Sequence, residues 1–316
     1  MAVAARSLTH VADLLTGTEF SPAHVRELFQ LSAEIKARPA RFRHALDGRY
    51  LALIFEKPSL RTRVTFEVGI SSLGGGSVFL DHSATRLGLR ESIKDVARNL
   101  ERWVHGIVAR TFEQRALEEL AAHAAIPVIN ALSDRYHPCQ ALADFFTLEE
   151  HFGASAVRSG LTLAYVGDGN NVCHSLVLAA ARVGAHVRVA TPAGYEPNAE
   201  IVAEAQRAAR ETRAKIEILR SPHEAVAGAN AVYTDVWASM GQEEEAEERA
   251  KIFAPYQVNE ALMTQAAPGA VFLHCLPAHR GAEVTDAVMD SPQSIVYDQA
   301  ENRLHVQKAI LAMLLG

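Results

Sequence analysis

Short apolar runs alternate with segments of helical period along almost the whole chain, and this alternation limits the possible folds more than any single motif. Strands are expected near 50–55, 77–80, 106–109, 126–129, 161–166, 186–190, 215–219, 231–234, 270–274 and 294–297. Candidate helices fall near 22–37, 62–72, 91–103, 114–124, 138–151, 173–183, 197–211, 257–265 and 301–315. A run such as Tyr50-Leu51-Ala52-Leu53-Ile54-Phe55 is apolar throughout, which suits a strand covered on both faces. Strands that alternate with helices imply parallel sheets flanked by helices. With 316 residues, two sheets in series are expected rather than one large sheet. The class read from the chain is therefore α/β, with two domains, each a mainly parallel sheet flanked by helices. The helix starting at Pro138 exits through His151-Phe152-Gly153, which sets the boundary. The first domain is expected over 1–150 and the second over 151–299. The C-terminal helix, within 300–316, is expected to return to the first domain.

Composition narrows the class of partner. Hydrophobic residues make up 49% and charged residues 22%, as in a soluble globular protein. The formal charge of −6 argues against a broad nucleic-acid-binding face. No apolar run approaches the ~18 residues of a membrane span. The N-terminal MAVAARSLTHVADLL has neither a signal core nor an Arg/Ser-rich transit pattern. Three cysteines, Cys139, Cys173 and Cys275, form no CxxC pair, which fits a reducing cytoplasm and argues against a zinc ribbon. The acidic run Glu243–Glu248 reads as a solvated loop or helix edge.

The residues with chemical potential sit where expected strands end, the usual ligand position in open parallel sheets. After the first strand comes Ser59-Leu60-Arg61-Thr62-Arg63. A Ser N-cap leaves first-turn N–H groups pointing outward, and the helix dipole favours an anion there. Arg61 and Arg63 add forked donors matched to phosphate oxygens. The same residues would also serve as a capped helix start with solvent-facing arginines. The Lys-Ser/Thr loop of nucleoside triphosphate sites is missing, so a small phosphorylated metabolite is the simpler ligand. Arg110 follows the third strand. His137 and Gln140 begin a helix three residues apart and can share a face, either around a carbonyl oxygen or as cap and surface residues.

In the second half, Gly167-Asp168-Gly169-Asn170-Asn171 only superficially resembles a dinucleotide fingerprint. Its third glycine is missing, and no acidic residue ends the following strand. It reads either as a hydrogen-bonding loop for a polar ligand or as a tight turn. Asp235-Val236-Trp237-Ala238-Ser239-Met240-Gly241-Gln242-Glu243 places a carboxylate, an aromatic ring, a hydroxyl and a glycine in one loop, suited to an amino group and to movement. His274-Cys275-Leu276-Pro277-Ala278-His279-Arg280-Gly281 places a thiol beside a Leu-Pro bond. Cys275 is either a thiol of lowered pKa or a small buried apolar residue. No local spacing of His, Cys and carboxylate makes a metal site.

Taken together, and in this order, these segments resemble the carbamoyltransferases, most closely the ornithine carbamoyltransferases. The resemblance covers essentially the whole chain. Ser59–Arg63 resembles the family's Ser-Thr-Arg-Thr-Arg signature for carbamoyl phosphate, with Leu60 in place of Thr. Asp235–Glu243 resembles the ornithine-type loop, and His274–Gly281 the family's His-Cys-Leu-Pro-Ala-His-Arg-Gly motif. The resemblance implies transfer of a carbamoyl group from carbamoyl phosphate to the δ-amine of L-ornithine, giving L-citrulline and phosphate. It places Ser59, Leu60, Arg61, Thr62, Arg86, Arg110, His137, Gln140, Cys275, Leu276 and Arg303 around carbamoyl phosphate. Asn171, Asp235, Ser239 and Met240 would contact ornithine. Arg61, Arg110, His137, Asp235 and Cys275 would carry the chemistry. Arg86 stands where relatives usually have a Gln that reaches a neighbouring subunit's site. No metal or organic cofactor is implied, and the expected assembly is a homotrimer, or a multiple of trimers, with shared sites. Three competing readings are another amine acceptor, an NAD-dependent oxidoreductase built on Gly167–Asn171, and a non-catalytic paralogue that binds without turnover.

Overall fold

The computed structural model describes residues 11–84, 86–238 and 243–316, and the side chain of Glu243 is not described. Two compact units divide the chain, one running to Ala143 and taking in Asn302–Gly316, the other spanning Asp144–Glu301.

The first unit holds four strands, β1 (Tyr50–Phe55), β2 (Gly76–Asp81), β3 (Gly106–Arg110) and β4 (Val128–Leu132), in the order β2-β1-β3-β4. All three pairings are parallel. β3 is buried along its whole length and β1 along all but Tyr50, as a sheet covered on both faces requires. The register slips between Ala109 and Arg110, so Arg110 is freed at the very end of β3 from the regular alternation of the strand. The last helix, Val296–Leu315, belongs to this unit from Asn302 onward, burying Val306, Ile310, Leu311 and Leu314. It lies along the Leu60–Ser72 helix at Gly69, where an added Cβ would meet Lys308 and Leu304 side chains.

The second unit holds β5 (Thr162–Val166), β6 (His186–Ala190), β7 (Ile216–Leu219), β8 (Ala231–Thr234) and β9 (Val271–His274), in the order β7-β6-β5-β8-β9 and again all parallel. The Asn171–Val183 helix buries almost every residue, which explains its near-continuous apolar sequence. Val166, Val232 and Phe272 of the strands pack with Phe253 in one core cluster.

Each sheet has one point where the strand order reverses. In the first unit this lies at β1, with β2 on one side and β3 on the other. In the second it lies at β5, between β6 and β8. Such switch points open a crevice beyond the strand C-termini, because successive crossover helices leave to opposite faces.

Two expectations are corrected. Residues 294–297 form no strand: Ser294 makes a single bridge to Phe272, and the final helix already starts at Val296. The run Ser294-Ile295-Val296-Tyr297 is β-branched and aromatic, but it is too short to outweigh the helix it leads into. The helix expected over 257–265 shrinks to Glu260–Met263, while Ala246–Phe253 forms a helix that had no counterpart in the reading. The acidic run 243–248 supplies a short 3-10 turn and the start of that helix, where carboxylates favour the N-terminus.

Candidate active site

In the first unit, Ser59 is the N-cap of the Leu60–Ser72 helix, and its Oγ accepts from the Thr62 N–H at 3.4 Å. The first turn thereby presents its free N–H groups just beyond β1, at the switch point. Thr62 is buried, and its Oγ1 accepts from the Arg303 guanidinium at 2.8 Å. Arg303 is thus brought 241 residues along the chain to the same turn. Arg110, His137 and Gln140 are also buried. Burial, then the charges of Arg303 and Arg110, drives the His137 imidazole well below its usual range. It is therefore a neutral ring among fixed cations. Leu60 is 76% exposed, so its side chain takes no part in the buried turn. The first turn contributes there through its main-chain N–H groups.

Arg61 is half-buried and makes no ion pair with a described residue. Arg63, expected to share the anion, is committed elsewhere: its Nε donates to Glu67 at 3.1 Å and its guanidinium sits 3.6 Å from the centre of the Phe79 ring. Arg86 is exposed, 4.4 Å from the Phe112 ring centre and 3.8 Å from Glu113.

Two residues missed in the sequence complete this region. Glu56 is buried, and its carboxylate accepts from Leu87 N–H and Phe112 N–H, both at 2.7 Å. It ties the segment after Arg86 to the end of β3. Lys57 Nζ lies 4.5 Å from the same Phe112 ring. Partial burial, then the neighbouring Arg110 charge, lowers its pKa. Both residues stand inside the Phe55-Glu56-Lys57-Pro58-Ser59 run, so a carboxylate next to an anion motif was the available signal.

In the second unit, Asp235 follows β8 at the switch point and is 6% exposed. Asn170 Nδ2 donates to its Oδ2 at 2.8 Å, and the Cys275 thiol donates to its Oδ1 at 2.9 Å. Asn170 also caps the Asn171–Val183 helix through Val172 and Cys173 N–H. Asn170 holds the carboxylate, and Asn171, the residue expected to contact ligand, is the first residue of the helix. Arg249 Nη1 donates to Asp168 Oδ2 at 3.2 Å and to the Trp237 carbonyl at 2.9 Å. Burial outweighs the Arg249 charge and pushes the Asp168 carboxyl up to about 6. Ser239 and Met240 lie outside the described residues.

The Leu276–Pro277 bond is cis. Asp235, His274 and Cys275 bring one donor atom each within 4.8 Å of one another, a donor set able to hold a metal ion. Local spacing gave no sign of it, because Asp235 comes from another strand end. The His274 Nδ1 lone pair is already used by the Leu276 N–H at 2.8 Å, and the Cys275 proton by Asp235, so these donors serve the protein's own hydrogen bonds.

Comparison with known proteins bears on both units. Residues 12–150 match the carbamoyl-P binding domain of aspartate/ornithine carbamoyltransferase, and residues 159–314 its Asp/Orn binding domain. Ornithine carbamoyltransferase of Thermococcus kodakarensis is 55% identical over 271 residues, 86% of this chain and 85% of that protein. The anabolic ornithine carbamoyltransferase of Pyrococcus furiosus is 49% identical over 316 residues, 100% of this chain and 98% of that protein. The solved structure of ornithine carbamoyltransferase from Pyrococcus furiosus superposes with a TM-score of 0.93 at 48% identity, covering 97% of this chain and 98% of that one.

Proposed function

Because the chain belongs to the aspartate/ornithine carbamoyltransferase family, we propose that it transfers the carbamoyl group of carbamoyl phosphate to the δ-amine of L-ornithine, giving L-citrulline and phosphate. The observation that carries this reading is the buried Asp235 carboxylate at the β5/β8 switch point, fixed on one oxygen by Asn170 and on the other by Cys275. A fixed, accept-only carboxylate orients a cationic amino acid and would repel an aspartate acceptor.

The carbamoyl phosphate domain, proposed over 1–150 with 300–316, holds the donor substrate. Main-chain N–H groups of Ser59, Leu60, Arg61 and Thr62, with Arg61, Arg110 and Arg303, bind the phosphate. Each Arg–phosphate pair supplies on the order of 4 kcal/mol of Coulomb attraction at about 4 Å and intermediate dielectric, before desolvation. His137 is neutral and donates an N–H to the carbamoyl oxygen, with Gln140 at the carbamoyl amide. These donors meet the oxyanion as it forms. The ornithine domain, proposed over 151–299, holds ornithine through Asn171, Asp235, Ser239 and Met240, with Cys275 and the Leu276 carbonyl at the reacting amine.

The neutral δ-amine attacks the carbamoyl carbon. A C–N bond forms, the C–O bond to phosphate breaks, and the proton shed by nitrogen ends on the departing phosphate. An alkylamine of pKa ~10.4 is about 0.1% neutral near pH 7.4, so bringing it to ~7.4 takes about 4 kcal/mol against its charged form. Clustered guanidinium groups supply that bias, while Asp235 opposes it and serves orientation. Formation of citrulline by the purified protein from both substrates tests the reading, with Arg61→Ala as the variant that must lose the activity.

The active assembly in this reading is a homotrimer with shared sites, in which Arg86 reaches a neighbour's phosphate. Leu60, Val64 and Val68 repeat every four residues on one exposed helix face, 76%, 44% and 48% accessible. Val78, half exposed, stands on the edge strand β2. An apolar stripe of this kind beside a sheet edge is what a partner subunit covers. The three thiols and the absence, among the described residues, of a helix able to cross a membrane fit a cytoplasmic enzyme of arginine biosynthesis.

A further inference from the structure

One polar side chain in the core of the first unit has no bond of its own. Gln307, on the final helix Val296–Leu315, is fully buried, and neither its Oε1 nor its Nε2 meets a partner among the described residues. The other buried amides of this helix are matched. Asn302 Oδ1 accepts from Lys36 Nζ at 2.8 Å, and Gln299 Nε2 donates to Asp144 Oδ1 at 2.7 Å. An amide shut away from water without partners is costly, whereas an apolar side chain of the same shape carries no such cost. Its presence calls for a use.

The place of Gln307 in the helix supplies one. Residues four apart lie on one helix face, so Gln307 follows Arg303 and precedes Leu311 along the buried stripe that includes Ile310 and Leu314. Helical side chains lean toward the N-terminus and cover the preceding turn, so the Gln307 amide leans toward the turn that carries Arg303. Arg303 is itself buried, and its Nη2 donates to Thr62 Oγ1 at 2.8 Å. Thr62 Oγ1 also accepts from Ser59 Oγ at 3.0 Å. With both lone pairs taken, that hydroxyl accepts nothing more from the guanidinium. Thr62 fixes one nitrogen of the planar fork, and an acceptor on the next helical turn would fix its plane.

We propose that Gln307 is a positioning residue for the phosphate seat: its amide oxygen accepts a guanidinium N–H when the anion draws Arg303 over, and so sets the plane of the fork against Thr62 and the phosphate. This rests on the phosphate seat of the carbamoyl-transfer reading and goes beyond it in naming what holds Arg303.

The probe is inorganic phosphate, titrated calorimetrically into the full chain, with thermal unfolding as the stability control. Gln307→Met keeps the length and shape of the side chain and removes the acceptor. Its dissociation constant for phosphate should rise about fivefold, the loss of one hydrogen bond. Its melting temperature should stay level or rise, because an unpartnered amide has left an apolar stripe. A lower melting temperature with phosphate affinity unchanged is the mark of a packing residue and overturns the proposal. Gln307→Leu repeats the measurement if the Met variant does not fold. Failure of both to fold makes Gln307 part of the packing and overturns it as well.

A cycle with Arg303 decides whether the effect passes through that residue. In an Arg303→Lys background the fork is gone, so Gln307→Met should weaken phosphate binding by less than about twofold. Losses that simply multiply in the double variant would sink the idea. In kinetics, Gln307→Met should raise KM for carbamoyl phosphate severalfold and leave kcat and KM for ornithine near their wild-type values. If the wild type binds phosphate but makes no citrulline, the carbamoyl-transfer reading fails, and the binding cycle still decides the part played by Gln307. If citrulline forms and Gln307→Met binds phosphate as the wild type does, that reading stands and the positioning role falls. A wild type that binds no phosphate removes the seat and the positioning role with it.

Discussion

Single side chains in this protein owe their chemistry to burial more than to identity. His137 is the clearest case: surrounded by Arg110 and Arg303 and shut off from water, it stays neutral where an ordinary histidine titrates. The unfolded chain takes up a proton near pH ~6.5 and the folded one does not, so stability is present above that pH and falls as the solution is acidified below it. Urea unfolding at pH 7.5 and 5.5 should show this as a loss of about 1 kcal/mol that His137→Asn does not share. The rise of kcat/KM for ornithine toward alkaline pH should survive in that variant, because the titrating group is the substrate amine. A flat profile from pH 6 to 9 in the wild type would contradict an amine that must shed its proton. Arg303 makes a parallel point. Its fork bonds Thr62 at 2.8 Å with donors left for an anion, and a lysine has no such geometry. Arg303→Lys should weaken phosphate binding about tenfold or more, by calorimetry, with no change in melting temperature comparable to a core mutation. The sequence identified His137 and Arg303 as candidates. Neutrality of the one and attachment of the other to Thr62 depend on 166 and 241 residues of intervening chain folding back, the latter span being visible in the Arg303–Thr62 bond.

Secondary-structure elements were legible where their own residues decide them. Ser59, Asn170 and Asn198 cap helices with local bonds, and apolar runs such as 50–55 and 231–234 form strands at the expected places. The segment 294–297 was misread because a four-residue β-branched run carries too little pattern to distinguish a strand from the entry to a long helix. The helix Ala246–Phe253 was missed because its charged surface gives little apolar period, and what holds it is Phe253 in the core and Arg249 bonded to Asp168 and Trp237. At the β5 loop the requirement is steric. A Cβ on Gly169 would lie 2.2 Å from the Pro197 nitrogen, a backbone atom that has no rotamer to escape into. Gly169→Ala should force the loop and Asn170 away from Asp235, costing about 1–3 kcal/mol by thermal unfolding and raising KM for ornithine more than that for carbamoyl phosphate. An unchanged KM would show that the Asn170–Asp235 bond does not shape the site.

At the scale of the molecule, two parallel sheets place their chemistry at equivalent points, the reversal of strand order at β1 and at β5. In the proposed trimer, the exposed stripe Leu60, Val64 and Val68 is the face that a neighbour covers. Sedimentation should give a particle of about three times the 34.3 kDa chain mass, and the pair Val64→Glu with Val68→Glu should release monomers that have lost activity. A fully active monomer would remove the shared-site reading. The sequence by itself determined the α/β class and the capped helix starts that follow the strands, because alternation and caps are local properties of neighbouring residues. Tertiary structure alone decided that Arg63 is spent on Glu67 and Phe79, that Glu56 braces the first site, and that Asp235 meets Asn170 and Cys275. Those outcomes depend on which strand ends become neighbours and on which polar groups are left to pair once water is excluded, and no local run of residues encodes either.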